Sequence, residues 1–160
     1  MQNLFREGMS RLGAAVTVLT TDGVAGRHGM TASAVCSVTD TPPTLLVCVN
    51  TRNRSHDLFV QNGVLCVNVL GPRHRDLSGQ FAGQCDGDRF AQGGWTTRAT
   101  GAPVLDDAVA AFDCRIINRE VIGTHSVFFC QVEDIALTEG DASGLMWFGR
   151  QFHHLPQIAV

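Results

Sequence analysis

The spacing of apolar and polar positions divides the chain into a leading helix, a series of short strands with small helices between them, and a long hairpin. Leu4, Phe5, Gly8, Met9 and Leu12 fall on one face at helical spacing, and Gly13 ends that segment. Residues 14–21, rich in Val and Thr, read as a strand closed by Asp22-Gly23. Gly23, Gly26 and Gly29 space a flexible turn before Met30, and residues 31–39 form one extended run with small residues alternating. Pro42-Pro43 marks a turn, because proline neither continues a helix nor donates to a ladder. Residues 44–50 form the next strand. A short helix follows, with Ser55 as N-cap, Leu58 and Phe59 facing inward, and Gly63 at the left-handed C-terminal position. Residues 64–70 read as a strand, 73–81 as a second short helix, and 82–100 as Gly-rich with no clear period. Two apolar runs, 109–122 and 125–137, are joined tightly at Gly123-Thr124 as a hairpin. Residues 145–148 make a last strand before a short tail. Strands outnumber helices and lack regular crossover helices. The pattern therefore predicts a closed antiparallel barrel with helices outside, rather than a doubly wound parallel sheet.

Composition narrows the function classes. A chain of 160 residues favours one domain, and no repeat or linker suggests a second. No stretch approaches the about 20 apolar residues of a membrane span. Residues 1–12 carry Arg6, Glu7 and Arg11 and lack the apolar core and cleavage site of a secretory signal, so a cytoplasmic protein is expected. Twelve basic residues face fifteen acidic ones without a basic block, which weighs against nucleic acid. The local pairs Arg52/Arg54 and Arg73/Arg75 suit a small-molecule phosphate, although solvated surface charge explains either pair taken alone. There are six cysteines and no C-x-x-C. Cys36, Cys48, Cys66, Cys114 and Cys130 sit in apolar, strand-like runs and are expected to fill the core, while Cys85 reads as a loop thiol.

The common chemical motifs are missing. Neither G-x-G-x-x-G after a strand nor G-x-x-x-x-G-K-[ST] occurs, and there is no G-x-S-x-G elbow. His153-His154 are adjacent and the other histidines scattered, while Asp86-Gly87-Asp88 begins like a calcium loop without its later ligands. No metal site is expected. Redox chemistry remains open, because a cofactor can carry the reaction where a protein has no nucleophile or metal.

From Gly29-Met30-Thr31-Ala32-Ser33 through Val35-Cys36-Ser37-Val38-Thr39 and Pro42-Pro43, the sequence resembles the short-chain flavin reductases. These are the reductase components of two-component flavin-dependent monooxygenases. The resemblance continues through Leu46-Val47-Cys48-Val49-Asn50, Ser55-His56, Phe81-Ala82-Gly83, Asp88-Arg89-Phe90 and Gly101-Ala102-Pro103-Val104-Leu105. It closes with Gly123-Thr124-His125 and Phe152-His153-His154-Leu155, covering nearly the whole chain in order. It implies a mainly β, antiparallel split β-barrel with short flanking helices, forming one domain over 1–160. It also implies a homodimer with flavin, FMN or FAD, held non-covalently near the subunit interface. The implied activity is hydride transfer from NADH or NADPH to that flavin, with reduced flavin supplied to a separate monooxygenase.

A flavin needs donors for its phosphate, hydrogen bonds at its ring edge and a flat wall for its face. Thr31-Ala32-Ser33 offers hydroxyls and N–H groups on a strand of small side chains. By resemblance, Met30 to Ala34 lies along the isoalloxazine, and the cofactor-binding set extends to Ser37, Val38, Cys48, Val49 and Asn50. Read without the family, 31–33 is a Ser/Thr-rich edge strand. With Ser55 as N-cap, a helix start becomes a natural phosphate site to which Arg54 could add a charge-assisted bond. The family more often carries small residues where Arg52 and Arg54 stand. Phe81 covers part of the ring or is an inward helix residue. His125 resembles the histidine that lies near the dihydronicotinamide and is the expected catalytic residue, with Phe152 and His153 closing over the same space. A non-catalytic flavin carrier or redox sensor of the same fold is the alternative. An oxidase of a pyridoxine-type phosphate on a similar barrel is a more distant one.

Overall fold

The computed structural model describes residues 1–83, 87–140 and 142–157. A helix α1 (Gln2–Ser10) leads into β1 (Ala14–Ala15), β2 (Thr17–Thr21), β3 (His28–Ala32), β4 (Val35–Asp40) and β5 (Pro43–Asn50). Helix α2 (Arg54–Asn62), β6 (Val64–Val69), a 3₁₀ turn (Pro72–His74) and α3 (Arg75–Ala82) follow. The chain then forms β7 (Trp95–Thr97), β8 (Pro103–Leu105), the hairpin β9 (Ala110–Ile122) and β10 (His125–Leu137), β11 (Gly144–Phe148) and β12 (Gln151–Leu155).

Seven strands make the main sheet in the order β3-β2-β6-β9-β10-β5-β4, with every pairing antiparallel. β3 and β4 sit at opposite edges, yet only Ser33 and Ala34 separate them in the chain. Three Cα steps hold those edges within roughly 11 Å, so the sheet must roll until they meet. The seam carries no ladder, and the result is a split antiparallel barrel with short helices outside. Two smaller sheets, β1-β11-β12 and β7-β8, lie beside it.

Strand alternation sorts side chains into two cores. Leu19, Val47, Val49, Phe59, Leu65, Val67 and Phe128 form one. Val18, Leu70, Leu77, Phe81, Val104, Leu105 and Leu145 form the other. Neighbours Val18 and Leu19 thus enter different cores, which is why all of β2 is buried. Its threonines stay satisfied: Thr21 donates to the Val64 carbonyl at 2.7 Å and Thr20 to the Pro103 carbonyl at 2.5 Å. Asp113, also buried, accepts from the Thr100 N–H at 2.8 Å and from its hydroxyl.

Several expectations need correction. The extended run 31–39 is two strands, broken at Ser33-Ala34 where the chain crosses from edge to edge. The strand 14–21 breaks at Val16, whose N–H donates to Leu145 at 2.9 Å. The N-cap of α2 is Asn53, whose side chain accepts from Ser55 N, and Ser55 lies inside the helix. Gly63 is left-handed as expected, with φ 68°. The tail after β11 is a strand, turned back through Gly149 and Arg150 at φ 58° and 62°. Cys36 is exposed, because β4 is an outer strand, and Cys48 is half-buried. Cys66, Cys114 and Cys130 do fill the core, and burial pushes the Cys130 thiol up to about 12. Cys85 and Asp86 lie outside the described residues. The apolar face of α1 exists, but Leu4, Phe5, Met9 and Leu12 are exposed and no residue of the helix is buried. No described helix is long and apolar enough to cross a membrane.

Candidate active site

The turn between β5 and α2 is built by two asparagines. The Asn50 side chain accepts from Arg52 N at 2.9 Å, and the Asn53 side chain accepts from Ser55 N at 2.9 Å. Such Asx turns bend the chain tightly and start the helix. They set Arg52 and Arg54 on the rim of a cleft of about 280 Å³ that His28, Gly29, Met30, Ser55, Phe81 and Arg89 also line. Neither Arg52 nor Arg54 has an ion-pair partner among the described residues. A contiguous hollow of about 210 Å³ adds Arg27, Asp88 and Phe90.

Inside the cleft the polar groups are ordered. Ser55, fully buried, donates to the Gly29 carbonyl at 3.3 Å, and its oxygen lies 2.7 Å from His28 Nδ1. Burial, then the charges of Arg89 and Arg54, hold His28 below the ordinary histidine range. Arg89 has its guanidinium committed to three carbonyls at the end of α3: Gln80 at 3.3 Å, Phe81 at 3.1 Å and Gly83 at 2.5 Å. It caps the helix and contributes a fixed positive charge. The floor needs Gly29, because a Cβ there would stand 2.7 Å from the Phe81 ring and 2.8 Å from the Leu19 carbonyl. Phe81 is accordingly an inward residue, 1% exposed, packed on Phe90 and Trp95 at 5.2 and 5.6 Å between ring centres.

Beyond Met30 the chain passes two apolar hollows. Thr31, Ala32 and Ser33 share one of about 360 Å³ with Ser78, Trp147 and Phe152. The Thr31 hydroxyl is taken, donating to the Ser78 carbonyl at 2.5 Å. Ser33, Ala34, Val35 and Cys48 border a larger hollow of about 750 Å³ facing Met9 and Leu12 of α1. The segment from Met30 to Ala34 therefore links a cationic cleft to two apolar walls.

His125 opens β10, exposed, with Nδ1 3.0 Å from the Thr124 hydroxyl and Asn50 as its partner across the ladder. The hairpin end is stitched to the cleft: Thr51 donates to the Thr124 carbonyl from its N–H at 2.9 Å and its hydroxyl at 3.2 Å. His56, the residue after Ser55, adds Nε2 to Ser126 Oγ at 2.8 Å and Nδ1 to Asp57 at 2.7 Å. That chain has the connectivity of a serine hydrolase triad, but Ser126 is wholly buried, so it clamps rather than reacts.

The structure brings Met30, Arg54, Ser55 and Phe81 into the cleft, and Thr31 to Ala34, Cys48 and Phe152 into the adjoining hollows. Ser37, Val38, Val49, Asn50, His125 and His153 border none of these spaces. Ser37 and Val38 are exposed on β4, the Val49 side chain is buried in the core, and His153, on β12, lies 3.1 Å from the Phe148 carbonyl. Sequence reasoning missed His28 and assigned no role to Arg27 or Arg89. Arg27, Arg52, Arg54 and Arg89 and the imidazole of His28 converge only through folding, and only the position of His28 just before Gly29-Met30 hinted at it.

A cationic cleft followed along residues 30–34 by apolar hollows fits an anion carried on a flat apolar group, which describes a flavin phosphate. Comparison with known proteins agrees. Residues 9–156 match the flavin reductase like domain. The chain is 53% identical over 156 residues to an FMN reductase (NADH), RutF, of Pseudomonas syringae, covering 97% of this chain and 87% of that one. It is 55% identical over 152 residues to the protein of that name in Acinetobacter baylyi, covering 94% and 80%. Among solved structures, the styrene monooxygenase flavin reductase of Pseudomonas putida S12 superposes with a TM-score of 0.86 at 27% identity, covering 97% and 99%. The Streptomyces globisporus NADH:FAD oxidoreductase SgcE6, solved with NAD and FAD fragments, gives 0.87 at 26% identity, covering 99% and 93%. By matched domain, by identity along almost its whole length and by fold, this chain belongs to the flavin reductase family.

Proposed function

We propose that the protein is an NADH-dependent FMN reductase that hands reduced flavin to a separate monooxygenase. The observation that carries this reading is the pair of arginines without ion-pair partners among the described residues, Arg52 and Arg54, at the start of α2, in a cleft lined by Met30, from which the chain runs on past the apolar hollows beside residues 31–34. Arg52, Arg54 and the first turn of α2 would hold the phosphate, with Arg89 adding a fixed field. Met30 to Ala34 and Cys48 would flank the ring. A bound flavin supplies the acceptor for hydride from reduced nicotinamide. The protein's own part is alignment, for which His125, paired across the ladder with Asn50 at the end of β5 just before the Arg52–Arg54 turn, is our candidate. FMN and NADH, rather than FAD and NADPH, are favoured by the names of the relatives at 53% and 55% identity.

We further propose that the working unit is a homodimer. Its support is the apolar surface a single chain leaves bare: the α1 face, and Ile117, Val121 and Ile122 on β9 at 52, 60 and 66% exposure. Apolar surface of that extent calls for a partner. Cytoplasm is the compartment we assign.

Steady-state oxidation of NADH and NADPH, with FMN, FAD or riboflavin added, tests the reading. FMN-dependent NADH oxidation well above background, with NADPH the poorer donor, is the expected result. Tight flavin binding without flavin-dependent NADH oxidation would leave a carrier instead.

A further inference from the structure

We propose that His28 is a proton acceptor that responds to the phosphate, so that the protein takes up a proton at this ring when it binds FMN. The inference rests on the flavin reading above and adds a linkage between pH and flavin retention. His28 opens β3 and lines both the cleft and its side hollow. Its ring nitrogen Nδ1 lies 2.7 Å from the Ser55 hydroxyl oxygen, and the Gly29 backbone also hydrogen-bonds the ring. That hydroxyl has a single proton, and it is directed at the Gly29 carbonyl. In the neutral ring one nitrogen carries the hydrogen and the other is free to take up a proton.

The groups facing the ring are lopsided. Arg52 comes from the turn before α2 and Arg54 from its first residue. Arg89 and Asp88 come from the segment after α3, and Arg27 from the turn before β3. Arg27 is paired with Asp22 at 3.1 Å, and Asp88 accepts from Phe90 N at 2.9 Å. Arg52 and Arg54 have no carboxylate partner among the described residues. Partial burial, and then the charges of Arg89 and Arg54, disfavour an imidazolium here, so the ring is held below its ordinary range. A phosphate dianion in the same cleft reverses the local field and favours the charged ring. Reciprocity then requires that protonation of His28 tighten the hold on the phosphate by the same factor. Affinity contributed by His28 rises as pH falls through the interval between the free-state and bound-state values.

Calorimetric titration of FMN into the full chain, in phosphate-free buffers of low and high ionisation enthalpy, counts the protons. FMN's own phosphate, with a second pKa near 6, releases protons on binding to cations, and the comparison with His28→Gln cancels that contribution. The wild type is expected to take up on the order of half a proton more per FMN than His28→Gln at about pH 7. It should bind FMN roughly 3- to 10-fold more tightly at about pH 6, with the ratio near one at about pH 8.5. Riboflavin, which lacks the phosphate, should show no such difference. Equal proton counts with FMN still bound would overturn the role of His28 and leave the flavin site standing. Failure to bind FMN, or equal affinity for FMN and riboflavin, would instead overturn the phosphate cleft itself. Should His28→Gln fail to fold, an NMR titration of the wild-type imidazoles decides. The His28 midpoint must rise by about one pH unit with FMN present, and an unmoved midpoint would sink the proposal.

Discussion

Gly29 shapes the cleft, Arg54 charges its rim, and Asp113 anchors the loop at Thr100. Gly29 is fixed by contact rather than by backbone conformation, since a methyl group there meets both the Phe81 ring and a main-chain carbonyl. The ring can shift and the carbonyl cannot, so Gly29→Ala is expected to cost about 1–3 kcal/mol by thermal or urea unfolding, and to weaken FMN binding as Phe81 moves. Asp113→Ala strands the Thr100 N–H and hydroxyl beside a buried site and should cost about 2–4 kcal/mol. Arg54→Gln removes a charge from the rim without disturbing any ion pair of the described residues. FMN binding should weaken roughly tenfold while riboflavin binding stays unchanged, and fluorescence quenching of each flavin reads the contrast.

At the level of elements, the start of α2 and the end of the β9–β10 hairpin behave as one piece, joined through Thr51–Thr124 and His56–Ser126. Ser126→Ala leaves His56 Nε2 buried without a partner and should cost about 1–3 kcal/mol. If the clamp sets the rim, the same variant raises KM for NADH while the FMN dissociation constant holds, and equal changes in both would argue for a general loosening. Much of this arrangement was legible in the sequence. The two long runs around Gly123-Thr124 and the left-handed Gly63 carry their own local signals. Other features had no local signal. Asn53 and Ser55 are both good caps, and only the geometry of the turn after Asn50 chooses between them. Residues 151–155 lack the apolar alternation of a strand, yet pair with β11 because the turn at Gly149 and Arg150 returns them to it. Cys36 alternates like a core residue, but whether a strand lies inside or at the edge of a sheet is a property of pairing order. His28 carries no motif, and beyond the adjacent Arg27 the charged groups that face it lie 24 to 61 positions away in the chain.

For the whole molecule, the uncovered α1 face and the β9 arm predict self-association. Sedimentation should give a dimer at micromolar concentration, with a melting temperature that rises with protein concentration. Ile117→Asp should shift the population towards monomer, and an unchanged sedimentation profile would place the interface elsewhere. The molecule carries a net charge of −3, yet four of its twelve arginines, Arg27, Arg52, Arg54 and Arg89, converge on one opening. Arg89 is the telling member, since its three carbonyl bonds anchor it to the end of α3. A charge held this way attracts an approaching anion from a distance but does not follow it inward or grip it afterwards. Capture of FMN should therefore slow steeply as ionic strength rises, while its escape rate barely changes, a separation that stopped-flow mixing at several salt concentrations would resolve.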